Sequence, residues 1–285
     1  MTDMLADTPR TKLSERDFAS IGGILQAEAR ISLAPSKITM TEARLSRRLR
    51  LHGLTDFGDY VRFVQRDSDE LREMVTALTT NHTHFFRESH HFDFLEQELL
   101  APLRAKAEAR RPVRIWSAGC SSGEEVHSIA MTLAGRTRAE GDWVLKRDVR
   151  FLATDISPPV VQKASEGTYS LDTARDVPAP YRKTWMRDEN GEVVVDADLR
   201  SRITARVLNL FGPWPMRQTY DVIFCRNTMI YFDEPATADL QERFAELLAP
   251  GGFLFIGHSE RLHGSAAQTL VPVGQTIYQK PGADA

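Results

Sequence analysis

The sequence predicts an α/β protein: a mostly parallel sheet with helices on both faces, preceded by a small all-helical domain. Two patterns along the chain indicate this fold class. From residue 14 to about 100, apolar residues such as Phe18, Ile21 and Leu25 recur every three or four positions, which is the period of amphipathic helices. From Val113 onward, short β-rich runs alternate with helical segments, as in parallel βαβ units.

The predicted elements divide the chain into a helical domain over residues 1–85, a linker helix over 86–108 and an α/β domain over 109–285. The first strand ends at Ala118, and a helix follows from about 124 to 133. Further strands are expected at 149–155, 220–227, 253–257 and 275–279, the last as an edge strand, with helices at 159–167 and 236–249. Asn190-Gly191 is a strong hairpin signal and predicts a small β-hairpin insertion at about 183–207. The residues after Pro281 are expected to form a frayed tail.

Composition and charge exclude several classes of protein. A net charge of −3 argues against a general nucleic-acid binder, and no apolar run approaches the roughly 20 residues that span a bilayer. Residues 1–10 lack the basic-then-apolar pattern of a signal peptide, so we expect a cytoplasmic protein without membrane insertion. Cys120 and Cys225 provide neither a disulfide framework nor metal-ligand spacing.

A glycine loop follows the first predicted strand, in the segment Val113-Arg-Ile-Trp-Ser-Ala-Gly-Cys-Ser-Ser-Gly-Glu-Glu125. Gly119 and Gly123 allow the backbone to approach a ligand closely, and the helix behind them begins with unpaired N–H groups. In α/β folds this arrangement binds the polar end of a nucleotide-like cofactor. Glu124 and Glu125 stand where a pyrophosphate needs donors, so they favour a ligand with hydroxyls or a positive charge. The sulfonium and amino groups of S-adenosylmethionine fit that description.

Polar residues also follow the other predicted strands, at the end of the sheet where open parallel sheets bind ligands. Asp155 can accept both hydroxyls of a ribose. Asn209, in Arg206-Val-Leu-Asn-Leu210, can bond an adenine edge, and Asn227 follows the fourth strand. An acidic residue after a strand is usually only a helix cap, but polar residues after four successive strands favour cofactor binding.

Other nucleotide sites fit the sequence poorly. The Gly-x-x-x-Gly spacing differs from the Gly-x-Gly-x-x-Gly loop of nicotinamide enzymes, and the Gly-Lys-Ser/Thr of a P-loop is absent. The fourth strand leads into Arg226-Asn-Thr-Met-Ile-Tyr-Phe-Asp233 instead of the Asp/Asn-Pro-Pro-aromatic turn often used for transfer to an amine. That difference favours a nucleophile other than an aromatic or amide nitrogen.

Five segments occur in an order that is characteristic of one family. They are Thr79-Thr-Asn-His-Thr-His-Phe-Phe-Arg-Glu-Ser-His-His-Phe92, Ile115-Trp-Ser-Ala-Gly-Cys-Ser-Ser-Gly-Glu-Glu125, Ile223-Phe-Cys-Arg-Asn-Thr-Met-Ile-Tyr-Phe-Asp233, Gly257-His-Ser-Glu260 and Gly274-Gln-Thr-Ile-Tyr278. Over nearly the whole chain, the sequence resembles the CheR family of chemotaxis receptor methyltransferases, which are protein-glutamate O-methyltransferases. The resemblance implies a class I, Rossmann-like methyltransferase domain. It also implies methyl transfer from S-adenosyl-L-methionine to receptor glutamates, with S-adenosyl-L-homocysteine as the product of the cofactor.

The resemblance and the glycine loop together assign the site residues. Asn81, Thr83 and Arg87 are expected to reach the cofactor from the segment that joins the two domains. Arg87 and Tyr231 are the expected catalytic residues, facing the methyl group and the incoming carboxylate. The expected cofactor-binding residues are Asn81, Thr83, Arg87, Gly119, Glu125, Asp155, Asn209, Leu210, Asn227 and Thr228.

The chain departs from the family pattern at two places. Val126-His127 stands where many relatives have Pro-Tyr, which is expected to alter the first helical turn and not the chemistry. The hairpin at 187–192 is shorter than in relatives that dock a tethering peptide at the receptor C-terminus, so we expect a tether-independent enzyme. Two alternative functions stay open: a catalytically silent regulator that binds adenosylmethionine, and a methyltransferase for another carboxylate substrate.

A basic helical face is predicted around residues 37–50, where Lys37, Arg44, Arg47 and Arg48 lie together. Surface arginines of this kind are usually solvated. We favour the alternative, in which this face docks a monomeric enzyme to the acidic helical bundle of methyl-accepting chemotaxis receptors.

Histidines at positions 82, 84, 90 and 91 raise the question of a metal site. No acidic or cysteine partners converge on them in the sequence, so we predict no metal and expect these side chains to pack in the interdomain segment.

Overall fold

A computed structural model describes residues 12–282, in two compact units that divide between Thr80 and Asn81. The predictions for residues 1–10 and for the end of the tail lie outside the described residues. Within residues 12–282, no helix is long and apolar enough to cross a membrane.

The first unit is all-helical, as the apolar periodicity predicted. Its helices are α1 (Glu15–Ala29), α2 (Ile38–Leu51), α3 (Phe57–Val64) and α4 (Ser68–Leu78). Ser14, Asp56 and Asp67 precede α1, α3 and α4, and each side chain accepts a hydrogen bond from a backbone N–H of the first turn. These caps satisfy donors that have no partner inside the helix, so they fix where each helix begins.

After residues 81–88, the second unit has a helical stretch and continues as alternating strands and helices. The stretch consists of α5 (Ser89–Phe94), a π-helical turn (Leu95–Leu99) and α6 (Leu100–Glu108), where a linker helix over 86–108 was predicted. The later helices are α7 (Glu124–Ala134), α8 (Asp142–Lys146), α9 (Pro158–Glu166), α10 (Ala179–Trp185), α11 (Ala197–Arg200), α12 (Glu234–Leu247) and α13 (Ala266–Thr269). The strands are β1 (Val113–Ala118), β2 (Val149–Asp155), β3 (Thr168–Ser170), β4 (Met186–Glu189), β5 (Glu192–Val195), β6 (Ile203–Val207), β7 (Tyr220–Cys225), β8 (Leu248–Ile256), β9 (Val271–Gly274) and β10 (Ile277–Gln279).

The main sheet has seven strands in the order β6-β2-β1-β7-β8-β10-β9. The first five run parallel, while β10 and β9 are antiparallel to their neighbours. The predicted mostly parallel sheet is therefore confirmed. The prediction that 275–279 forms the edge was wrong, because β10 pairs with β8 on one side and with β9 on the other. The run Val271-Pro-Val-Gly274 gives a weak strand signal, since proline and glycine are depleted in strands.

The strand order reverses at β1, which lies between β2 and β7. In open parallel sheets, ligands bind in the crevice outside the carboxyl ends of the strands at such a switch point. The glycine loop follows β1, so it lies at the switch point, and the residues that follow β2, β6 and β7 lie at the same end of the sheet.

Apolar side chains pack on both faces of the main sheet. Ile115 and Phe224 belong to one core with Ile129 of α7, whereas Trp116 and Ile223 belong to a second core. Neighbouring residues of β1 and β7 contribute to opposite cores because successive side chains of a strand point to opposite faces.

The hairpin predicted from Asn190-Gly191 joins β4 to β5, which pair antiparallel. β3 pairs with β5 and completes a separate three-stranded sheet. The predicted limits of the insertion, 183–207, need correction. They include β6, which belongs to the main sheet, and omit β3. Turn chemistry specifies only the local pairing of β4 with β5, so it does not indicate which distant strand joins them.

Candidate active site

The loop between β1 and α7 is held by backbone hydrogen bonds to the end of β2. The N–H groups of Gly119 and Cys120 donate to the carbonyl oxygen of Thr154 at 2.8 and 2.9 Å. Gly119 has φ +77°, and a Cβ there would run into the side chain of Thr228. Gly123 has φ +95°, and a Cβ there would lie 2.7 Å from Cα of Ala164. Both positions therefore require glycine, for the backbone angle and for the space.

Asp155 at the end of β2 organises this loop. Its Oδ2 accepts the Ser121 N–H at 2.9 Å, and its Oδ1 accepts the Ser157 N–H at 3.0 Å. Burial of the carboxylate raises the pKa of Asp155, and the hydrogen bonds from Ser157 and Ser121 oppose that rise. An ionised carboxylate oxygen can accept more than one hydrogen bond, so these contacts leave acceptor capacity for hydroxyl groups.

Glu125 in the first turn of α7 is buried, and each of its carboxylate oxygens accepts a hydrogen bond. Its Oε1 accepts the Ser117 hydroxyl at 2.7 Å, and its Oε2 accepts Nε of Arg226 at 2.7 Å. The neighbouring Glu124 accepts the Ser122 hydroxyl instead. The two glutamates therefore have different surroundings, and Glu125 is the one that connects α7 to the end of β7.

Residues 81–88 approach the same loop from the start of the second unit. The Ser121 hydroxyl donates to the carbonyl oxygen of Asn81 at 3.0 Å. Arg87 lies near the end of this segment, and its Nη1 donates to the His82 carbonyl oxygen at 3.2 Å. Thr83 is half-buried. The segment thus brings the Asn81 backbone against the glycine loop.

The loop after β7 carries three of the predicted site residues. Asn227 has φ +54°, which is left-handed, and its Nδ2 donates to Glu88 Oε1 at 3.2 Å. The Thr228 hydroxyl donates to the Arg226 carbonyl oxygen at 3.2 Å. Tyr231 is half-buried at the end of a 3₁₀ turn, Met229–Tyr231. This loop lies directly beside the glycine loop, because Thr228 borders Gly119.

Asn209 and Leu210 follow β6. The Leu208 N–H donates to the Asp155 carbonyl oxygen at 2.9 Å, which ties this segment to the end of β2. Asn209 Oδ1 accepts the Phe211 N–H at 3.0 Å, and Leu210 is buried. The two residues therefore stand at the carboxyl edge of the sheet next to Asp155.

Comparison of the sequence with known protein families identifies the family of this chain. The model of the CheR methyltransferase SAM-binding domain matches residues 81–278, and that of the CheR all-alpha domain matches residues 16–79. The chain belongs to the CheR methyltransferase family. It is 41% identical over 272 residues to chemotaxis protein methyltransferase 2 of Pseudomonas aeruginosa, with 93% of each chain covered. It is 39% identical over 286 residues to the chemotaxis protein methyltransferase of Escherichia coli, with 96% of this chain and 94% of that one covered.

A further CheR relative is a probable chemotaxis protein methyltransferase of Rhizobium etli, 38% identical over 262 residues, with 90% of this chain and 96% of that one covered. The cofactor of the CheR SAM-binding domain is S-adenosylmethionine. The residues present fit that ligand. Gly119 lets the glycine loop pack closely against Thr228, and Asp155 offers acceptors to hydroxyls. The first turn of α7 carries carboxylates, which disfavour phosphate.

One buried side chain of the CheR SAM-binding domain was missed by the sequence reasoning. The Arg226 side chain is 2% exposed, and besides Glu125 it contacts the Arg87 carbonyl oxygen through Nη1 at 2.5 Å. Nη1 also lies 3.1 Å from His91 Nδ1, and the guanidinium lies over the ring of Phe92. An arginine at the end of a strand gives no local signal of burial. Its partners become visible only in the fold.

The basic residues predicted on the CheR all-alpha domain have different surroundings. Arg44 Nη1 donates to the carbonyl oxygens of Leu78 and Thr79 at 3.0 and 2.9 Å. Arg48 pairs with Glu70 at 2.5 Å. Two of the four residues of the predicted basic face, Arg44 and Arg48, therefore have guanidiniums that bind within the helical unit. Lys37 and Arg47 are exposed.

Among the described residues, Glu88, His90 and His91 carry possible metal-ligand atoms within 4.8 Å of one another. His91 Nδ1 already faces the Arg226 guanidinium at 3.1 Å. Burial and the charge of Arg226 lower the pKa of His91 to about 3. A fixed cation at this place disfavours a second one, so the arrangement supports hydrogen bonding by a neutral His91.

Proposed function

We propose that this CheR-family enzyme transfers a methyl group from S-adenosyl-L-methionine to glutamate side chains of chemotaxis receptors. The observation that carries the proposal is the meeting of the glycine loop, Asp155 and the 81–88 segment at the carboxyl end of β1 and β2. The relatives described above are named chemotaxis protein methyltransferases, which supports the same activity.

The cofactor-binding residues are proposed to come from four segments at this edge of the sheet. Asp155 takes the ribose, Asn209 and Leu210 frame the adenine, and Asn227 and Thr228 line the methionine end. Their supporting contacts keep each backbone segment in place before the ligand binds. The full set is Asn81, Thr83, Arg87, Gly119, Glu125, Asp155, Asn209, Leu210, Asn227 and Thr228.

The proposed reaction needs no general base. A glutamate side chain has a pKa of about 4.3 and is ionised at neutral pH. When bound, S-adenosyl-L-methionine supplies a methyl group on a positively charged sulfur. A carboxylate oxygen forms the bond to the methyl carbon as the carbon–sulfur bond breaks and its electron pair stays on sulfur. The products are a neutral methyl ester and S-adenosyl-L-homocysteine.

Arg87 and Tyr231 are the proposed catalytic residues. Arg87 carries a planar fork of donors that can align a carboxylate, and the phenol of Tyr231 can direct the second oxygen. The Arg87 main chain is fixed by Arg226, which supports a defined position for the guanidinium. The rate gain then comes mainly from alignment in a site with little water.

The product chemistry tests this proposal. The full-length chain is incubated with methyl-labelled adenosylmethionine and receptor-containing membranes, and the labelled receptors are then treated with mild base. We expect volatile methanol, which carboxyl methyl esters release and N-methyl products do not. Receptors with and without a C-terminal tether are expected to react at similar rates, because the β4–β5 hairpin is short.

Arg87→Ala tests the proposed catalytic role of Arg87 in the same assay. We expect it to lower the rate by about 10- to 100-fold, the loss of a charge-assisted contact of about 1.5–3 kcal/mol, and to lower cofactor affinity by a smaller factor than the rate. Arg111→Ala, at an exposed arginine, is the control. Cofactor binding without any transfer favours the silent-regulator alternative. A base-stable product excludes glutamyl esters.

We also propose that the helical unit docks a monomeric, cytoplasmic enzyme to the acidic helical bundle of the receptor. The exposed side chains of Lys37 and Arg47 support this, whereas Arg44 and Arg48 contribute chiefly by shaping the helical unit. Exposed charges attract an oppositely charged surface mainly at low ionic strength.

The docking proposal predicts that Lys37→Glu with Arg47→Glu slows receptor methylation at low salt by about tenfold and that the difference shrinks at high salt. Affinity for S-adenosyl-L-homocysteine should stay unchanged. Arg104→Glu with Arg111→Glu makes the same charge change at exposed arginines of the other unit and is the control. Equal methylation rates for the two double variants at low salt are the result that rejects docking through this face.

A further inference from the structure

A buried carboxylate lies behind the loop that follows β7. Glu260, in the segment after β8, is only 5% exposed. Its Oε2 accepts the N–H groups of Gly257 and Asn227 at 2.6 and 3.1 Å, and its Oε1 accepts the Met229 N–H at 2.8 Å. None of the ion pairs found within residues 12–282 includes Glu260. The carboxylate is therefore held by backbone donors alone.

These donors belong to a loop that needs external support. Asn227 has a left-handed φ of +54°, which residues other than glycine adopt only singly, asparagine more readily than most. The loop then enters a single 3₁₀ turn, Met229–Tyr231, whose first N–H groups have no partner within the turn. Glu260 supplies those partners, so it replaces the hydrogen bonds that a regular element would provide.

The two segments approach each other too closely for a side chain to intervene. A Cβ at Gly257 would lie 2.6 Å from Asn227 Nδ2 and 2.7 Å from the Asn227 backbone nitrogen. Glycine at 257 thus allows Glu260 to reach the Asn227 backbone. The Asn227 side chain is held separately, by Glu88. The backbone and the amide of one site residue are therefore fixed by two different carboxylates.

We propose that Glu260 is a positioning residue for methyl transfer, because its carboxylate fixes the backbone of residues 227–231 and thereby places Asn227 and Tyr231. This inference rests on the proposed function, which assigns Asn227 to the methionine end of the cofactor and Tyr231 to the incoming carboxylate. Glu260 acts through the loop and does not touch either reactant.

Replacing the Glu260 carboxylate by an amide tests whether this side chain positions the loop through its hydrogen bonds or only fills space. Glu260→Gln keeps the size and shape of the side chain but turns one acceptor into a donor that faces backbone N–H groups. We expect kcat to fall at least tenfold and affinity for S-adenosyl-L-homocysteine to fall several-fold. Glu260→Asp keeps both acceptors on a shorter stem, and we expect it to recover part of kcat. Glu242→Gln, at an exposed glutamate of α12, is the control.

Amide hydrogen exchange of the full-length chain gives a readout independent of activity. In Glu260→Gln, the N–H groups of Asn227 and Met229 should exchange at least tenfold faster, while the α7 amides keep wild-type protection. Wild-type kcat together with wild-type exchange at 227–231 overturns the inference. A uniform loss of protection and stability with unchanged kcat also overturns it, because the role is then only structural. Failure of the wild-type chain to form base-labile esters rejects the proposed function, whereas exchange still reports whether Glu260 holds the loop.

Discussion

Arg226 is a buried cation whose partners come from distant parts of the chain. Its guanidinium contacts Glu125 on α7, the Arg87 main chain and His91 on α5. A buried charge costs several kcal/mol unless it is paired and hydrogen-bonded, so removal of one partner leaves the others uncompensated. Arg226 therefore fixes the distance between the glycine-loop helix and the segment that carries Arg87.

Gly119 is the residue whose replacement bears most directly on the cofactor pocket. At φ +77° an alanine costs about 1 kcal/mol in backbone strain. Its Cβ also displaces Thr228, which we propose lines the methionine end. Gly119→Ala should weaken binding of S-adenosyl-L-homocysteine at least about tenfold, or about 1.4 kcal/mol, as measured by titration calorimetry.

Gly191→Ala is the control for backbone strain. Gly191 has φ +83° in the β4–β5 turn, and no atom lies within 4 Å of a Cβ placed there. An alanine at 191 therefore has the same energetic cost of a left-handed backbone as an alanine at 119, but its Cβ does not contact Thr228. We expect wild-type affinity for S-adenosyl-L-homocysteine in this variant. If both alanine variants bind equally well, the contact between Gly119 and Thr228 does not shape the pocket.

Two helices illustrate how an element is fixed by its surroundings. Every residue of α7 is buried, so this helix lacks the polar stripe that makes a surface helix recognisable.

Glu70 on α4 is 3% exposed and accepts hydrogen bonds from Arg48 on α2 and from the Tyr60 hydroxyl on α3. That single carboxylate links α2, α3 and α4.

Glu70→Ala should destabilise the helical unit by about 3 kcal/mol, because Arg48 and Tyr60 lose a shared buried acceptor. Chemical denaturation of the full-length chain, followed by circular dichroism, measures the change in the free energy of unfolding. Affinity for S-adenosyl-L-homocysteine, measured below the transition, is expected to stay unchanged.

The matched control is Glu73→Ala. Glu73 pairs with the same arginine at 2.9 Å, but its side chain is 50% exposed. Solvent screens such a pair, so its loss should cost less than about 1 kcal/mol. Similar losses of stability in the two variants contradict the view that burial of Glu70 is the cause.

At the scale of the whole molecule, His127 makes stability depend on pH. Its Nε2 donates to the Ala164 carbonyl oxygen at 3.0 Å, and its buried Nδ1 has no hydrogen-bond partner. Burial lowers the pKa of His127 to about 4, from about 6.5 in an unfolded chain. Below pH 6.5, His127 therefore binds a proton in the unfolded chain but not in the folded chain. The free energy of unfolding consequently decreases as the pH falls towards 4.

His127→Gln tests this assignment. The glutamine can still donate to Ala164 but does not titrate. As pH falls from 6.5 to 4, the wild type should lose about 3 kcal/mol more of its free energy of unfolding than the variant does. His82→Gln, at an exposed histidine, should keep the wild-type dependence. Parallel curves for wild type and His127→Gln would falsify the role of His127.

Much of the fold and part of the candidate site can be predicted from local sequence. The helical periodicity before residue 80, the alternation of strands and helices after 113 and the hairpin at Asn190-Gly191 are each encoded within a few neighbouring residues. The glycine loop is equally local, because positive φ at Gly119 and Gly123 restricts the residue type at those positions.

The remaining features depend on residues far apart in the sequence. β3 joins the hairpin from upstream, and β9 covers β10 at the edge of the main sheet. Arg44 and Arg48 appeared to be surface charges because helical spacing does not show which carbonyls or carboxylates approach from α4. Pairing of this kind is decided by packing, so a local pattern cannot specify it.

The sequence by itself determined the fold class, the family and the positions at which the backbone must be glycine. Only the tertiary structure decided how the charges pair. Arg226 meets Glu125 across 101 positions of sequence, and Glu260 meets Asn227 across 33. The physical reason is that periodicity and backbone angles are properties of short segments, whereas the stabilisation of a buried charge depends on every group that folding brings around it.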